Sequence, residues 1–207
     1  KERIFLSKKI HPFLMTRGVP GTHDINIMLN FFKKTKSKSF RSLKLPKFNK
    51  AIDDRCDKKL WYSIKKRPDV IIFEGWCVGA RAENNNTLKK HINALERKKD
   101  TNLVWRKFVN QQLKLKYKKL YAQLDCLLFL KAGSFNLLQK WRLKQEKKLR
   151  LNNAGIKNSK IMNKKDVIKF MQTYQRVTQN MLKHAPKYSS IILNLNRNHQ
   201  IKSVKYK

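Results

Sequence analysis

The chain has 207 residues, with 50 Lys or Arg against 13 Asp or Glu, so its formal net charge is +37. This length predicts a single domain spanning residues 1–207, with a core large enough to need no disulfide or metal for stability. Hydrophobic residues make up 41% of the sequence, which excludes a disordered basic tail, and no apolar run is long enough to predict a membrane span.

The first third of the chain predicts two helices followed by short strands. Residues 4–16 have the pattern of a short helix that ends at a turn rich in glycine and proline. Thr22 is placed to cap a second helix, because Ile25, Met28 and later apolar residues follow at helical spacing. The next predicted elements are strand character near residues 43–48, a loop or turn at residues 53–55, and a buried strand at residues 69–73.

The rest of the chain alternates helical and strand patterns. The predicted helices are residues 87–99, 103–123, 135–151 and 163–184, and the predicted strands are residues 124–130, 190–194 and 201–204. Apolar strands that alternate with helices predict a parallel or mixed sheet with helices on both faces. The predicted fold class is therefore α/β.

The large positive charge first indicates nucleic acid, because a basic surface binds phosphates by releasing counterions. However, 38 of the 50 basic residues are Lys and only 12 are Arg, and the lysines are spread along the whole chain. Arg is the usual residue for bidentate recognition of bases and phosphates. This pattern favours solvated basic faces and non-specific contact with nucleic acid over a dedicated interface.

The three cysteines, Cys56, Cys77 and Cys126, are widely and irregularly spaced. They match no zinc-binding pattern, and free thiols are typical of a reducing compartment. We therefore expect a cytoplasmic protein without a membrane partner.

The scarce acidic residues are more informative than the basic ones. Residues 17–24 read Arg-Gly-Val-Pro-Gly-Thr-His-Asp, a glycine-rich turn directly before a helix. Arg17, the free N–H groups of the helix start and His23 would together suit a carboxylate or phosphate. The alternative is an ordinary capped helix in which Asp24 interacts with the helix dipole.

Two further acidic features stand at a turn and at the end of a predicted strand. Asp53 and Asp54, beside Arg55, suit a metal ligand or a base that orients a hydroxyl. Their spacing alone favours the alternative, an Asx-turn with a surface ion pair. Glu74 follows the predicted strand at residues 69–73, and the C-terminal edge of a sheet is where α/β folds bind ligands. We favour a functional role for Glu74 over a strand that merely ends at a polar residue.

The predicted helix at residues 135–151 carries Trp141 and Arg142 among several lysines. Its cations would suit a lid that closes over phosphates. The alternative is a solvated basic face anchored by the tryptophan.

In combination, these motifs resemble the glycerate kinase family of P-loop kinases, which includes the plant-type glycerate 3-kinases and their bacterial and fungal relatives. The resemblance is carried by the Arg-Gly-x-Pro-Gly-Thr-His-Asp motif and by Asp-Val-Ile-Ile-Phe-Glu-Gly-Trp at residues 69–76. It is supported by Pro-x-Phe-x-Lys-x-x-Asp-Asp-Arg at residues 46–55 and by the residues from Ser134 to Glu146. The family is similar in fold to uridine kinase, phosphoribulokinase and pantothenate kinase.

The resemblance implies a three-layer P-loop NTPase-type fold and transfer of the ATP γ-phosphoryl group to a small acid, D-glycerate first. By position, it implies a role for each matching residue. Arg17, Thr22, His23, Asp24, Asp53 and Arg55 would bind the substrate, Asp54 and Glu74 would be catalytic, Glu74 would contact Mg²⁺, and Arg142 would belong to the lid over the nucleotide.

One departure from the family is large. No Gly-x-x-x-x-Gly-Lys-[Ser/Thr] motif occurs in the sequence. By resemblance, the first strands and the P-loop are missing, so we expect an N-terminally truncated kinase domain that neither binds ATP well nor turns over alone. The other hypotheses are a non-catalytic degenerate kinase relative and a lysine-rich nucleic-acid-binding protein.

Overall fold

The structure is a computed structural model that describes residues 2–15, 17–49, 54–152 and 162–207. The helices are α1 (Glu2–Lys9), α2 (Ile25–Lys36), α3 (Asn85–Lys89), α4 (Ala94–Lys99), α5 (Val104–Gln112), α6 (Lys118–Tyr121), α7 (Phe135–Asn152) and α8 (Lys164–His184). The strands are β1 (Leu43–Leu45), β2 (Phe48–Asn49), β3 (Asp54–Arg55), β4 (Tyr62–Ile64), β5 (Leu128–Lys131), β6 (Ile191–Leu195) and β7 (Ile201–Tyr206).

The largest sheet in the described residues has three strands in the order β5-β6-β7. Strands β5 and β6 are parallel, with Phe129 opposite Ile192, whereas β7 returns antiparallel to β6. Two small antiparallel pairs, β1 with β4 and β2 with β3, lie outside this sheet. The mixed sheet confirms the predicted α/β class.

The main hydrophobic core is built mostly from helices. It packs α2, α5, α6 and α8 together with Phe129 of β5, and its most buried large side chains include Trp105, Leu120 and Leu14. A π-helical turn, Leu113–Tyr117, joins α5 to α6, so the predicted continuous helix at residues 103–123 is observed as three joined segments. Among the described residues, no helix combines the length and the apolar character needed to cross a bilayer.

A buried ionic network fixes α4, α5 and α8 to one another. The Glu96 carboxylate accepts hydrogen bonds from Nε of Arg176 at 2.8 Å and from its Nη2 at 2.7 Å. The same carboxylate lies 3.5 Å from Arg106, which also donates to Asp100 at 2.8 Å. Since Glu96 and Arg106 are 0% and 1% exposed, each charge depends on its partners.

The C-terminal half of the chain follows the sequence prediction closely. The basic helix at residues 135–151 is α7, and the amphipathic helix at residues 163–184 is α8, capped by the Asn163 side chain through a 3.0 Å hydrogen bond from the Asp166 N–H. Strands β6 and β7 occupy the two predicted closing segments.

The prediction of a buried strand at residues 69–73 is wrong. The segment has no strand pairing, and Val70 and Ile72 are 77% and 88% exposed. Only Phe73 turns toward the core, where its ring packs edge-on against Phe32. The physical reason is that no strand among the described residues lies beside this segment to pair with its backbone or cover its side chains.

The predicted buried strand at residues 124–130 is wrong in part. The strand begins only at Leu128, and Leu128 and Leu130 are 48% and 57% exposed. Successive side chains of a strand point to opposite faces of the sheet, so Leu128 and Leu130 share the exposed face of β5, whereas Phe129 is buried on the other face.

Three other predicted boundaries also need correction. The helix predicted at residues 4–16 ends at Lys9, and Pro12 instead begins a short 3₁₀ turn. The helix predicted at residues 87–99 is two helices, because the Asn93 side chain caps α4 through the Glu96 N–H at 2.9 Å. Asp54 and Arg55 form strand β3 rather than a loop, whereas Asp53 lies outside the described residues.

Candidate active site

A cavity of about 540 Å³ opens beside the turn at residues 17–24. Its walls come from that turn, from α2, from the paired strands β2 and β3 and from the segment at residues 70–73. Six of the predicted site residues line it: Arg17, Thr22, His23, Asp24, Asp54 and Arg55. The fold thus brings together two sequence motifs that are separated by some thirty positions.

The turn before α2 is held by hydrogen bonds within the turn and by the hydroxyl of Tyr117, which lies at the end of the π-helical turn before α6. The Gly21 N–H donates to Oη of Tyr117 at 3.0 Å. The Thr22 hydroxyl accepts from the Gly18 N–H and donates to the Val19 carbonyl, both at 2.8 Å. Thr22 therefore closes the turn, and the prediction that it caps α2 is wrong. The cap is Asp24, whose Oδ1 accepts from the Ile27 N–H at 3.3 Å.

Substitution of Gly21 by alanine is expected to distort this turn. Gly21 has φ of +102°, and an added Cβ would lie 2.6 Å from Cε1 of Phe108 and 2.9 Å from Cγ of Gln112. Backbone strain of this kind costs about 1–3 kcal/mol, and the clash adds to it. Urea denaturation would measure the loss. The matched control is Gly133→Ala, where an added Cβ meets nothing within 4 Å. Equal effects of the two substitutions would contradict this account of the turn.

His23 is neutral at physiological pH. Burial, and then the positive charges of Arg17 and Arg3, lower the pKa of His23 to about 4. Its Nδ1 lies 2.7 Å from the Tyr117 hydroxyl, and burial raises the pKa of Tyr117 above its usual value. His23 and Tyr117 are therefore both neutral between about pH 5 and physiological pH, and the hydrogen bond between them joins two uncharged groups.

The charged residues of the cavity divide into paired and unpaired groups. Arg55 lies 3.2 Å from Oδ2 of Asp24, an ion pair whose partners are 46% and 37% exposed. Asp54 accepts the Arg55 N–H on Oδ1 at 2.8 Å, and this hydrogen bond is the main reason that the pKa of Asp54 is lowered. The Arg17 guanidinium lies 4.3 Å above the Phe48 ring. It forms no ion pair with a carboxylate of the described residues. Arg17 is thus a cation available to an anionic ligand.

Glu74 and Arg142 do not line this cavity. Glu74 is exposed directly after the segment at residues 70–73, without an ion pair in the described part of the chain. Arg142 forms an ion pair with Glu146 and donates to Gln145 at 2.7 Å, so its guanidinium is engaged within α7. Asp53 falls outside the described residues.

The described residues contain no group of three or more metal-ligating side chains. Mg²⁺ needs no such cage, because it is usually held by one or two carboxylates together with substrate phosphates. Glu74 is exposed and forms no ion pair among the described residues, so its carboxylate is the type of ligand that such a Mg²⁺ site uses.

Sequence reasoning missed Tyr117, which contacts both the turn and His23. The sequence shows it only as one member of the apolar stripe along the helix at residues 103–123, where a tyrosine packs as readily as a phenylalanine. Phe48, which lies beneath Arg17, was visible within a motif but carried no assigned role. In both cases the signal is a tertiary contact that no local spacing reveals.

Two curated proteins are similar to the chain in sequence. It is 29% identical over 170 residues to the uncharacterized kinase mug58 of Schizosaccharomyces pombe, covering 79% of this chain and 58% of that protein. It is 24% identical over 152 residues to the chloroplastic D-glycerate 3-kinase of Arabidopsis thaliana, covering 70% of this chain and 31% of that protein. The chain thus spans less than two thirds of the length of either relative. No protein-family model matches it.

Two solved structures share the fold along the whole chain. The D-glycerate 3-kinase from Cryptococcus neoformans superposes with a TM-score of 0.80 at 22% identity, and 75% of that chain is covered. The YGR205w protein superposes with a TM-score of 0.72 at 23% identity, and 72% of that chain is covered. These likenesses show the kinase-type α/β fold that the sequence motifs predicted. The chain is therefore similar in sequence to a plant D-glycerate 3-kinase and in fold to a fungal one.

Proposed function

We propose that this chain is the acceptor-binding part of an ATP-dependent kinase that phosphorylates a hydroxyl of a small acid, with D-glycerate as the first candidate. The observation that carries the proposal is the convergence of Arg17, His23 and Asp54 on one cavity within a fold shared with a D-glycerate 3-kinase. The cavity offers the Arg17 guanidinium to a substrate carboxylate and the Asp54 carboxylate to a substrate hydroxyl.

In the proposed complex, the Arg17 guanidinium pairs with the substrate carboxylate. The cation is held over Phe48 and is not neutralised by a described acidic side chain, so its donors remain available. Three acids line the cavity, Glu2, Asp24 and Asp54. Of the two that the sequence motifs single out, Asp24 is committed to capping α2 and to Arg55, whereas Asp54 uses only Oδ1. Asp54 is therefore the better candidate to orient the acceptor hydroxyl and accept its proton.

Phosphoryl transfer depends mainly on positioning and on charge stabilisation. The hydroxyl oxygen forms the new bond to the γ-phosphorus while the bond to the ADP oxygen breaks. Mg²⁺, when bound with the nucleotide, neutralises charge on the phosphates. Glu74 would be the residue of this chain that holds the metal, and Arg142 would approach the phosphates only after leaving Glu146.

Replacing Arg17 with alanine tests the acceptor site. In the protein as encoded in full, we expect Arg17→Ala to raise the KM for D-glycerate about tenfold or more, because a charge-assisted hydrogen bond is lost. The KM for ATP should change little. The matched control is Arg41→Ala, another exposed arginine that does not line the cavity. An unchanged acceptor KM would move the substrate site away from the turn.

A measurement of nucleic-acid binding distinguishes the proposed kinase from a lysine-rich nucleic-acid-binding protein. A dedicated nucleic-acid-binding protein would bind duplex or single strands tightly, with a steep dependence on salt. We expect weak binding that modest salt abolishes, since the cations are mostly Lys and are distributed over the whole chain.

A further inference from the structure

The two ring nitrogens of His23 have different surroundings. Nδ1 lies 2.7 Å from Oη of Tyr117, whereas the described part of the chain offers Nε2 no hydrogen-bond partner. His23 lines the cavity beside the turn. Nε2 is therefore the ring nitrogen that is left to meet a ligand.

The hydrogen bonds of Tyr117 decide which nitrogen carries the proton. Its Oη already accepts the Gly21 N–H at 3.0 Å. If Nδ1 donated as well, the phenolic proton would need another acceptor, and the described residues provide none to this side chain, which is only 3% exposed. A buried donor without an acceptor is costly, so the phenol donates to Nδ1. In a neutral imidazole the proton is then on Nε2.

We propose that Tyr117 is a positioning residue that holds His23 in the Nε2-protonated tautomer, so that the imidazole donates a hydrogen bond to a carboxylate oxygen of the acceptor acid. This inference rests on the proposed function, because it takes the acid as the occupant of the cavity. The chain of donors runs from the Gly21 backbone through the Tyr117 hydroxyl to His23. The same tyrosine thus fixes the position of the turn and the direction in which the histidine donates.

A neutral donor complements Arg17 at this place. The guanidinium supplies the charge that attracts the acid, and it lies over Phe48 at one side of the cavity. The imidazole adds direction without a second positive charge, since a tautomer with a bare Nε2 would face the carboxylate with a lone pair. The tautomer therefore decides whether His23 attracts or repels the acid.

The tautomer can be read directly by nitrogen NMR of the chain labelled with ¹⁵N-histidine at pH 7. The His23 signals are identified by their loss in His23→Gln. We expect one Nε2-protonated tautomer in the unsubstituted chain and a mixture of tautomers in Tyr117→Phe. The matched control is Tyr121→Phe, which removes the next hydroxyl of the same helical region, one that donates to the Cys77 carbonyl at 2.6 Å. In this control the His23 tautomer should not change.

An Nδ1-protonated His23 in the unsubstituted chain would overturn the proposal, even if Tyr117→Phe failed to fold. An unchanged tautomer in a folded Tyr117→Phe would overturn it as well. In the protein as encoded in full, we expect Tyr117→Phe to raise the KM for the acid about tenfold without raising that for ATP. Equal increases in both would contradict a positioning role. Failure of the proposed function is separate, because it appears as absence of phosphorylation by the unsubstituted protein.

Discussion

Replacing Glu96 with alanine is expected to lower the free energy of unfolding by about 3–5 kcal/mol. The carboxylate is 0% exposed and pairs with both Arg176 and Arg106. It also accepts the Ile92 N–H at 3.0 Å. Its removal leaves two buried guanidinium groups with fewer partners, and desolvated charge without compensation is among the most costly defects in a protein interior.

The loss is large compared with the total stability of a single domain, which is about 5–15 kcal/mol. Thermal and urea unfolding would therefore show a much weaker protein, or one that does not fold. A useful control is Asp166→Ala, since Asp166 is exposed in the first turn of α8 and its removal should cost no more than about 1 kcal/mol. If Glu96→Ala were as mild as this control, the network would not be what fixes α4 and α5 to α8.

Replacing Glu74 with glutamine is expected to lower kcat about 100-fold in the protein as encoded in full, because the carboxylate that we propose holds Mg²⁺ loses its charge. The substitution keeps the shape of the side chain and removes its charge. Since Glu74 is exposed and has no ion pair among the described residues, the free energy of unfolding should change by less than about 0.5 kcal/mol.

The matched control for Glu74 is Asp69→Asn. Asp69 is also exposed, and it stands at the other end of the same short segment, so the control removes an equal charge nearby. Steady-state turnover of the two variants would locate the effect. A similar loss of turnover in both would indicate a general change in surface charge and would remove Glu74 from the candidate catalytic residues.

The sequence predicted best those elements that carry their own signals. Helix α8 has an amphipathic pattern over many turns and an Asn163 cap, and both are local features. The segment at residues 69–73 shows the opposite case. Its run of apolar residues predicted burial, but burial depends on which neighbours are present, and Val70 and Ile72 are exposed because no described strand lies beside them.

The candidate site was predictable in its residue types and not in its contacts. The motif at residues 17–24 and the pair Asp54–Arg55 were identified from the sequence, and the structure places both at one cavity. The local spacing did not show that Asp24, and not Thr22, caps α2, or that Arg142 is engaged with Glu146. Nor did it show Tyr117, whose hydroxyl acts across more than ninety positions of sequence.

The most direct test of the account is whether the protein as encoded in full transfers the γ-phosphoryl group of ATP to D-glycerate. Phosphorus NMR of the reaction would show ADP and a phosphorylated acid appearing together, with Mg²⁺ present. We expect phosphoglycerate to form in the unsubstituted protein and to form much more slowly at low D-glycerate in Arg17→Ala. A folded protein that binds ATP but phosphorylates neither D-glycerate nor any related small hydroxy acid would contradict the proposed function.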